Sequence, residues 1–116
     1  MNQIERLLEI IATYQKHGWT LRRILLTAEA ENLPGYQLFA EAQVEPAALD
    51  AVWFSRPSHE RREAWELRLV AESPYALFET FESDETEEQR EEMRREMEAR
   101  MREQVAKGTG RLEYEL

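Results

Sequence analysis

The sequence predicts an α+β fold: an N-terminal helix, an antiparallel sheet of three strands with room for a fourth, and C-terminal helices, in αβββα order. Three observations lead there. Ile4, Leu7, Leu8, Ile11 and Tyr14 recur in steps of three and four, which lays one apolar stripe along a helix. In Ala64–Ala71, Trp65, Leu67 and Leu69 alternate with Glu66, Arg68 and Val70, the pattern of a half-buried antiparallel strand. Asp84–Val105 holds nine acids, five arginines and no Gly or Pro, as a long solvated helix would.

The first helix spans 3–16; Lys16 suits its negative end and Gly18 stops it. Trp19–Ala28 follows at once. Its Trp, Ile and Thr content favours a strand buried on much of both faces. Asn32–Asp50 is irregular. Leu33-Pro34-Gly35 marks a turn, Tyr36–Ala42 suits a short helix, and Glu45-Pro46 breaks the chain again. Ala51–Arg56 and Ala64–Ala71 read as two strands of a hairpin with a long polar tip, PSHERRE. Ser73-Pro74 has the chemistry of a helix start, with Tyr75, Leu77, Phe78 and Phe81 tucked under the sheet. Asp84 with Glu87 fits a capping box for the long helix. Glu91–Arg95, Glu96–Arg100, Glu98–Arg102 and Glu103–Lys107 are i,i+4 pairs in the favourable order. Gly108-Thr109-Gly110 ends that helix, so one domain covers 1–107, and 108–116 is a tail, either disordered or an extra edge strand. The expected core is Ile4, Leu7, Leu8, Ile11, Ile24, Leu26, Phe54, Trp65, Leu67, Leu69, Leu77, Phe78 and Phe81.

Composition narrows the function classes. A net charge of −9 repels nucleic acid and anionic membranes, whose phosphates are bound by Lys and Arg. The αβββα order is shared by double-stranded RNA-binding domains, but their basic loop and helix are absent here, and no nucleic-acid partner is expected. No apolar run nears the roughly 20 residues of a membrane span, and the N-terminus carries charges at Glu5, Arg6 and Glu9 that a signal peptide would lack, so the expected location is cytoplasmic. There is no cysteine, and His17 and His59 lie far apart. No metal site, cofactor or catalytic group is expected: Gly-rich phosphate loops and nucleophile elbows are missing, and most carboxylates sit on the solvated helix.

Two surfaces remain as candidates for binding. Trp53, Arg56, Trp65 and Arg68, with Arg22 or Arg23, would form a row on one sheet face suited to a carboxylate or phosphate. Met93, Met97 and Met101 form a row of flexible apolar side chains suited to packing across the chain's own sheet or to contact with a partner protein or a second copy. The expectation is a non-enzymatic, acidic interaction, adaptor or chaperone-like protein that binds a protein partner or itself, with a homodimer as one form. The alternative is a small anionic-ligand-binding or enzymatic module on the arginine/tryptophan face.

Overall fold

The computed structural model describes residues 2–31 and 43–115, with side chains over 2–30 and 43–107. Its contacts divide the chain into two units, Met1–Ser83 and Asp84–Leu116. The expected turn at Leu33-Pro34-Gly35 and helix at Tyr36–Ala42 lie outside the described residues.

Helix α1 (Gln3–Lys16) starts on a reciprocal cap. The Asn2 side chain accepts the Glu5 N–H at 2.8 Å, and the Glu5 carboxylate accepts the Asn2 N–H. The helix buries Ile4, Leu7, Ile10 and Ile11. Leu8, expected in the core, is 40% exposed. Leu8 and Ile10 flank the Ile4–Leu7–Ile11 line on opposite sides, and α1 turns its Ile10 flank towards the core, leaving the Leu8 flank outside it. Gly18 adopts φ +88°, a left-handed conformation open to glycine. Its N–H bonds Gln15 O at 3.1 Å, and the Trp19 N–H returns to Tyr14 O at 3.0 Å, which closes the helix end as expected.

Strand β1 (Thr20–Leu26) buries Ile24, Leu25 and Leu26 in succession, so both its faces are covered. A four-residue helix α2 (Ala28–Glu31) follows, with Thr27 Oγ1 accepting the Ala30 N–H at 3.3 Å. Then come β2 (Gln43–Pro46), β3 (Ala51–Pro57), β4 (Glu63–Leu69) and β5 (Ala76–Phe81). The sheet order is β2-β1-β3-β4-β5; β2 runs parallel to β1 and the other pairs are antiparallel. The sheet is therefore mixed and five-stranded, not the three antiparallel strands expected.

Both additional strands have a physical reason for having escaped notice. Strand β2 is four residues long, and its Pro46 is tolerated because it ends an edge strand. Strand β5 replaces the expected helix after Ser73-Pro74. Leu77, Phe78 and Phe81 fit a helical side, but 77, 79 and 81 against 76, 78 and 80 fit a strand as well. Six residues are too few for periodicity to separate the two, and Phe and Thr favour the pleated form.

The sheet has two faces of different character. One carries Ile24, Leu26, Val52 and Phe54 under the apolar side of α1, joined by Ala30 and Val70; this is the hydrophobic core. The opposite face carries Trp53, Trp65, Leu67 and Phe81, with edge-on ring contacts from Trp53 to Trp65 (5.9 Å) and from Trp65 to Phe81 (6.3 Å). Leu69 and Leu77 are half-buried, and Phe78 is 58% exposed rather than part of the core.

Helix α3 (Glu87–Glu115) begins three residues later than the predicted Asp84 start and is continuous from there through Val105. Its cap lies two residues later than Asp84/Glu87: Thr86 Oγ1 accepts the Gln89 N–H at 3.1 Å, and Gln89 Oε1 accepts the Thr86 N–H at 2.9 Å. Arg95 bridges Glu91 (2.9 Å) and Glu98 (3.0 Å), Arg94 bonds Glu91 (2.9 Å) and Glu87, and Lys107 reaches Glu103 at 3.6 Å. The helix runs through Gly108-Thr109-Gly110 and over 111–115, where a stop and a tail were expected. Glycine costs a helix interior about 1 kcal/mol relative to alanine, which weakens a helix without ending it.

Candidate interaction surface

Register decides which side chains meet. Residues opposite one another on paired strands share a face. Across the α1 side runs one row of Leu21, Phe54, Glu66 and Phe78; beside it lie the pairs Arg56↔Ala64↔Thr80 and Val52↔Arg68↔Ala76. The core cluster is centred on β1 and β3, and the β4–β5 half of the same face keeps Glu66 and Arg68 half-buried and Phe78 exposed.

An aromatic network crosses this region. Tyr14 lies flat on Phe54, with centroids 4.1 Å apart and planes 6° apart. Its hydroxyl donates to the Glu66 carboxylate. Burial, then the bond to Glu66 and that carboxylate's charge, push the Tyr14 hydroxyl well above its ordinary value of 10.0, against a smaller opposing effect of Arg68. Tyr14 is thus a neutral donor at physiological pH. It holds Glu66 in place and offers no base. Trp19 meets Tyr14 edge-on at 6.0 Å and Phe78 edge-on at 6.5 Å. The Arg56 guanidinium stands 4.6 Å from the Trp19 ring centroid, and its Nη1 reaches towards His17 O at 3.5 Å. The exposed Arg56 and Phe78 and the half-buried Trp19 therefore form one corner, supported by Tyr14, Phe54 and Glu66.

The predicted quartet is divided by this register. Arg56 and Arg68 lie on the α1 side, while Trp53 and Trp65 point to the opposite side. Successive strand residues alternate faces, so Trp53 and Arg56, three apart, cannot share one, nor can Trp65 and Arg68. Arg68 donates to Leu69 O at 2.7 Å. Of the β1 arginines, Arg23 sits opposite Trp53, and a shift of register at Leu21/Arg23 sets Arg22 towards the tryptophan face. There its Nε donates to Ser55 Oγ at 2.7 Å and its guanidinium lies 5.6 Å from the Trp65 ring centre. Met93, Met97 and Met101 occupy consecutive i,i+4 positions of α3.

Sequence reasoning missed the corner because it placed Phe78 in a helix and the core, and gave Trp19 and Tyr14 no role beyond their elements. The signal that was present is β5's alternation, which sets Phe78 on the side opposite to Leu77 and Phe81.

At the other end of the sheet, Asp50 accepts from the Thr27 N–H (2.7 Å) and the Gln3 side chain (2.9 Å), and Gln3 also donates to Val70 O (2.9 Å). A cleft of about 280 Å³ is lined by Gln3, Thr27, Glu29, Ala30 and Asp50. The bonds from Gln3 to Asp50 and Val70 tie α1 to the sheet. Among the described residues, no helix is long and apolar enough to cross a membrane. No protein-family model matches the chain, and no curated protein or solved structure matches it significantly.

Proposed function

We propose that this protein is a non-enzymatic interaction protein, an adaptor or chaperone-like component, that meets its partner protein at the Trp19–Arg56–Phe78 corner. The observation that carries the reading is Phe78. It is 58% exposed, yet it is held edge-on by Trp19, which in turn lies beneath the Arg56 guanidinium. Trp, Tyr and Arg are the residue types that dominate binding energy at protein interfaces, and they do so when anchored before the partner arrives. The Tyr14 hydroxyl, held well above its ordinary value by burial and by Glu66, is moved away from acid–base duty at neutral pH. The alternative, an anionic-ligand or catalytic module, would need Trp53, Arg56, Trp65 and Arg68 on one face, and the strand register divides them.

The test is a photo-crosslinking residue at position 78, with one at the similarly exposed Leu8 as control. The reading expects a defined protein adduct at 78 that weakens when Trp19 is changed to Ala. With the purified partner, Phe78→Ala should weaken binding about tenfold or more, the scale of a hot-spot side chain. Equal labelling at 78 and 8, or an affinity indifferent to Phe78 and Trp19, refutes it.

A further inference from the structure

We infer that β5 is a pairing edge for a second copy of this chain, with the two β5 strands antiparallel and centred on Phe78. Among the described residues β5 pairs with β4 alone. The Leu69 N–H bonds the Tyr75 carbonyl at 2.9 Å, and those residues lie opposite each other in the register that pairs Leu67 with Leu77 and Trp65 with Glu79. In an antiparallel ladder the hydrogen-bonded pairs alternate with unbonded ones, so 75, 77, 79 and 81 direct their backbone groups at β4. Ala76, Phe78 and Thr80 therefore present theirs to the open edge. The side chains agree: Glu79 Oε1 accepts the Thr80 N–H at 3.1 Å, a local substitute for a missing strand.

The edge is self-complementary. Edge strands are usually guarded by Lys, Pro or inward charges. Ala76–Phe81 has one charge, Glu79. Pairing centred on Glu79 would set two carboxylates opposite each other, which disfavours it. Pairing centred on Phe78 sets Glu79 opposite the second copy's Leu77, Phe78 opposite Phe78, and Ala76 opposite Thr80. All the outward backbone groups then find partners, and the Thr80 N–H passes from Glu79 to the carbonyl of the second copy's Ala76. Phe78 and Trp19 of both copies would line up on one face as a continuous aromatic strip, covering the exposed ring. Such a contact is a closed two-fold, the commonest symmetry of homo-oligomers. Net charge of −9 per chain opposes it, so salt strengthens it.

This inference shares Phe78 with the interaction reading but does not depend on a foreign partner. Sedimentation equilibrium over a concentration series, at low and moderate salt, tests it on the full chain. The wild type should dimerise, more tightly at higher salt. Phe78→Glu, at an exposed position, and Thr80→Pro, which removes an outward N–H that the β4 ladder does not use, should both be monomeric with unchanged circular dichroism. The chain has no cysteine. Phe78→Cys should therefore form a disulfide-linked dimer on mild oxidation, because opposed residues lie roughly 5.5 Å apart between Cα atoms, within bridging range. Glu72→Cys should not. A wild type that stays monomeric at high micromolar concentration in both salts overturns the inference, as does a dimer that survives both Phe78→Glu and Thr80→Pro. A monomer that still crosslinks a foreign protein at position 78 overturns the second copy while leaving the interaction reading intact.

Discussion

Two aromatic side chains of equal prominence in the sequence have opposite roles. Trp65 is buried, touches Trp53 and Phe81 edge-on, and donates through Nε1 to Glu63 at 3.2 Å. Trp65→Ala should cost about 3–5 kcal/mol in urea-melt stability, as truncation of a large buried aromatic does. Phe78→Ala should cost under about 1 kcal/mol, because more than half of the side chain is in water already. Equal losses from the two would contradict the assigned faces. Tyr14 gives a pH signature. Its hydroxyl holds its proton more firmly in the folded state than at the ordinary value of 10.0. The unfolded chain therefore releases that proton first, and the stability from the Tyr14–Glu66 bond is complete below about pH 10 and declines as pH rises above it. Tyr14→Phe should be less stable than wild type at pH 7 by about 1 kcal/mol, the worth of such a bond at a half-buried site. Its stability should also fall less steeply between pH 9 and pH 11, a range chosen to bracket about pH 10. Parallel pH profiles for the two proteins would contradict the assignment.

Elements with long, strong patterns were legible in the sequence. The Gly18 stop, the doubly buried β1 and the alternation of β4 each follow from side-chain periodicity or backbone freedom and stand as read, and the stripe of α1 stands with Ile10 in place of Leu8. Short elements were not. Strand β2 has four residues and β5 has six, and over fewer than two helical turns the 3.6 and 2.0 periods cannot be told apart. The split of the predicted arginine/tryptophan row, by contrast, was available from numbering alone, since residues three apart on a strand lie on opposite faces. The β3–β4 tip shows what polarity hides. Glu60 (φ 56°) and Arg61 (φ 66°) both adopt the left-handed conformation, in a turn closed by the Arg62 N–H to His59 O at 3.1 Å. Asn-Gly is the pair suited to two such positions. Replacing Glu60 and Arg61 with Asn and Gly should stabilise the fold by about 1–2 kcal/mol, read as a higher urea midpoint. A loss of stability would show that this turn is not strained. In α3, Thr86→Ala should remove the cap and fray the first turn, at about 1 kcal/mol, seen as faster amide exchange at 87–90. Unchanged exchange there would place the start of the helix elsewhere.

For the molecule as a whole, charge and apolar surface oppose one another. An acidic chain repels its own copies, while the β5 edge and the Trp19–Arg56–Phe78 corner bring together the features that association uses: open backbone groups, an anchored exposed ring and an arginine stacked on tryptophan. The central claim is that this edge and corner meet another chain. Residue-resolved amide exchange in β5 tests it most directly, because alternate residues of one strand serve as control and probe. The amides of Leu77 and Glu79, which face β4, should exchange slowly at every protein concentration. Those of Phe78 and Thr80, which face outward, should exchange fast in dilute solution and slow markedly as protein concentration rises. Fast exchange at Phe78 and Thr80 at all concentrations, or slow exchange at infinite dilution, would contradict the claim.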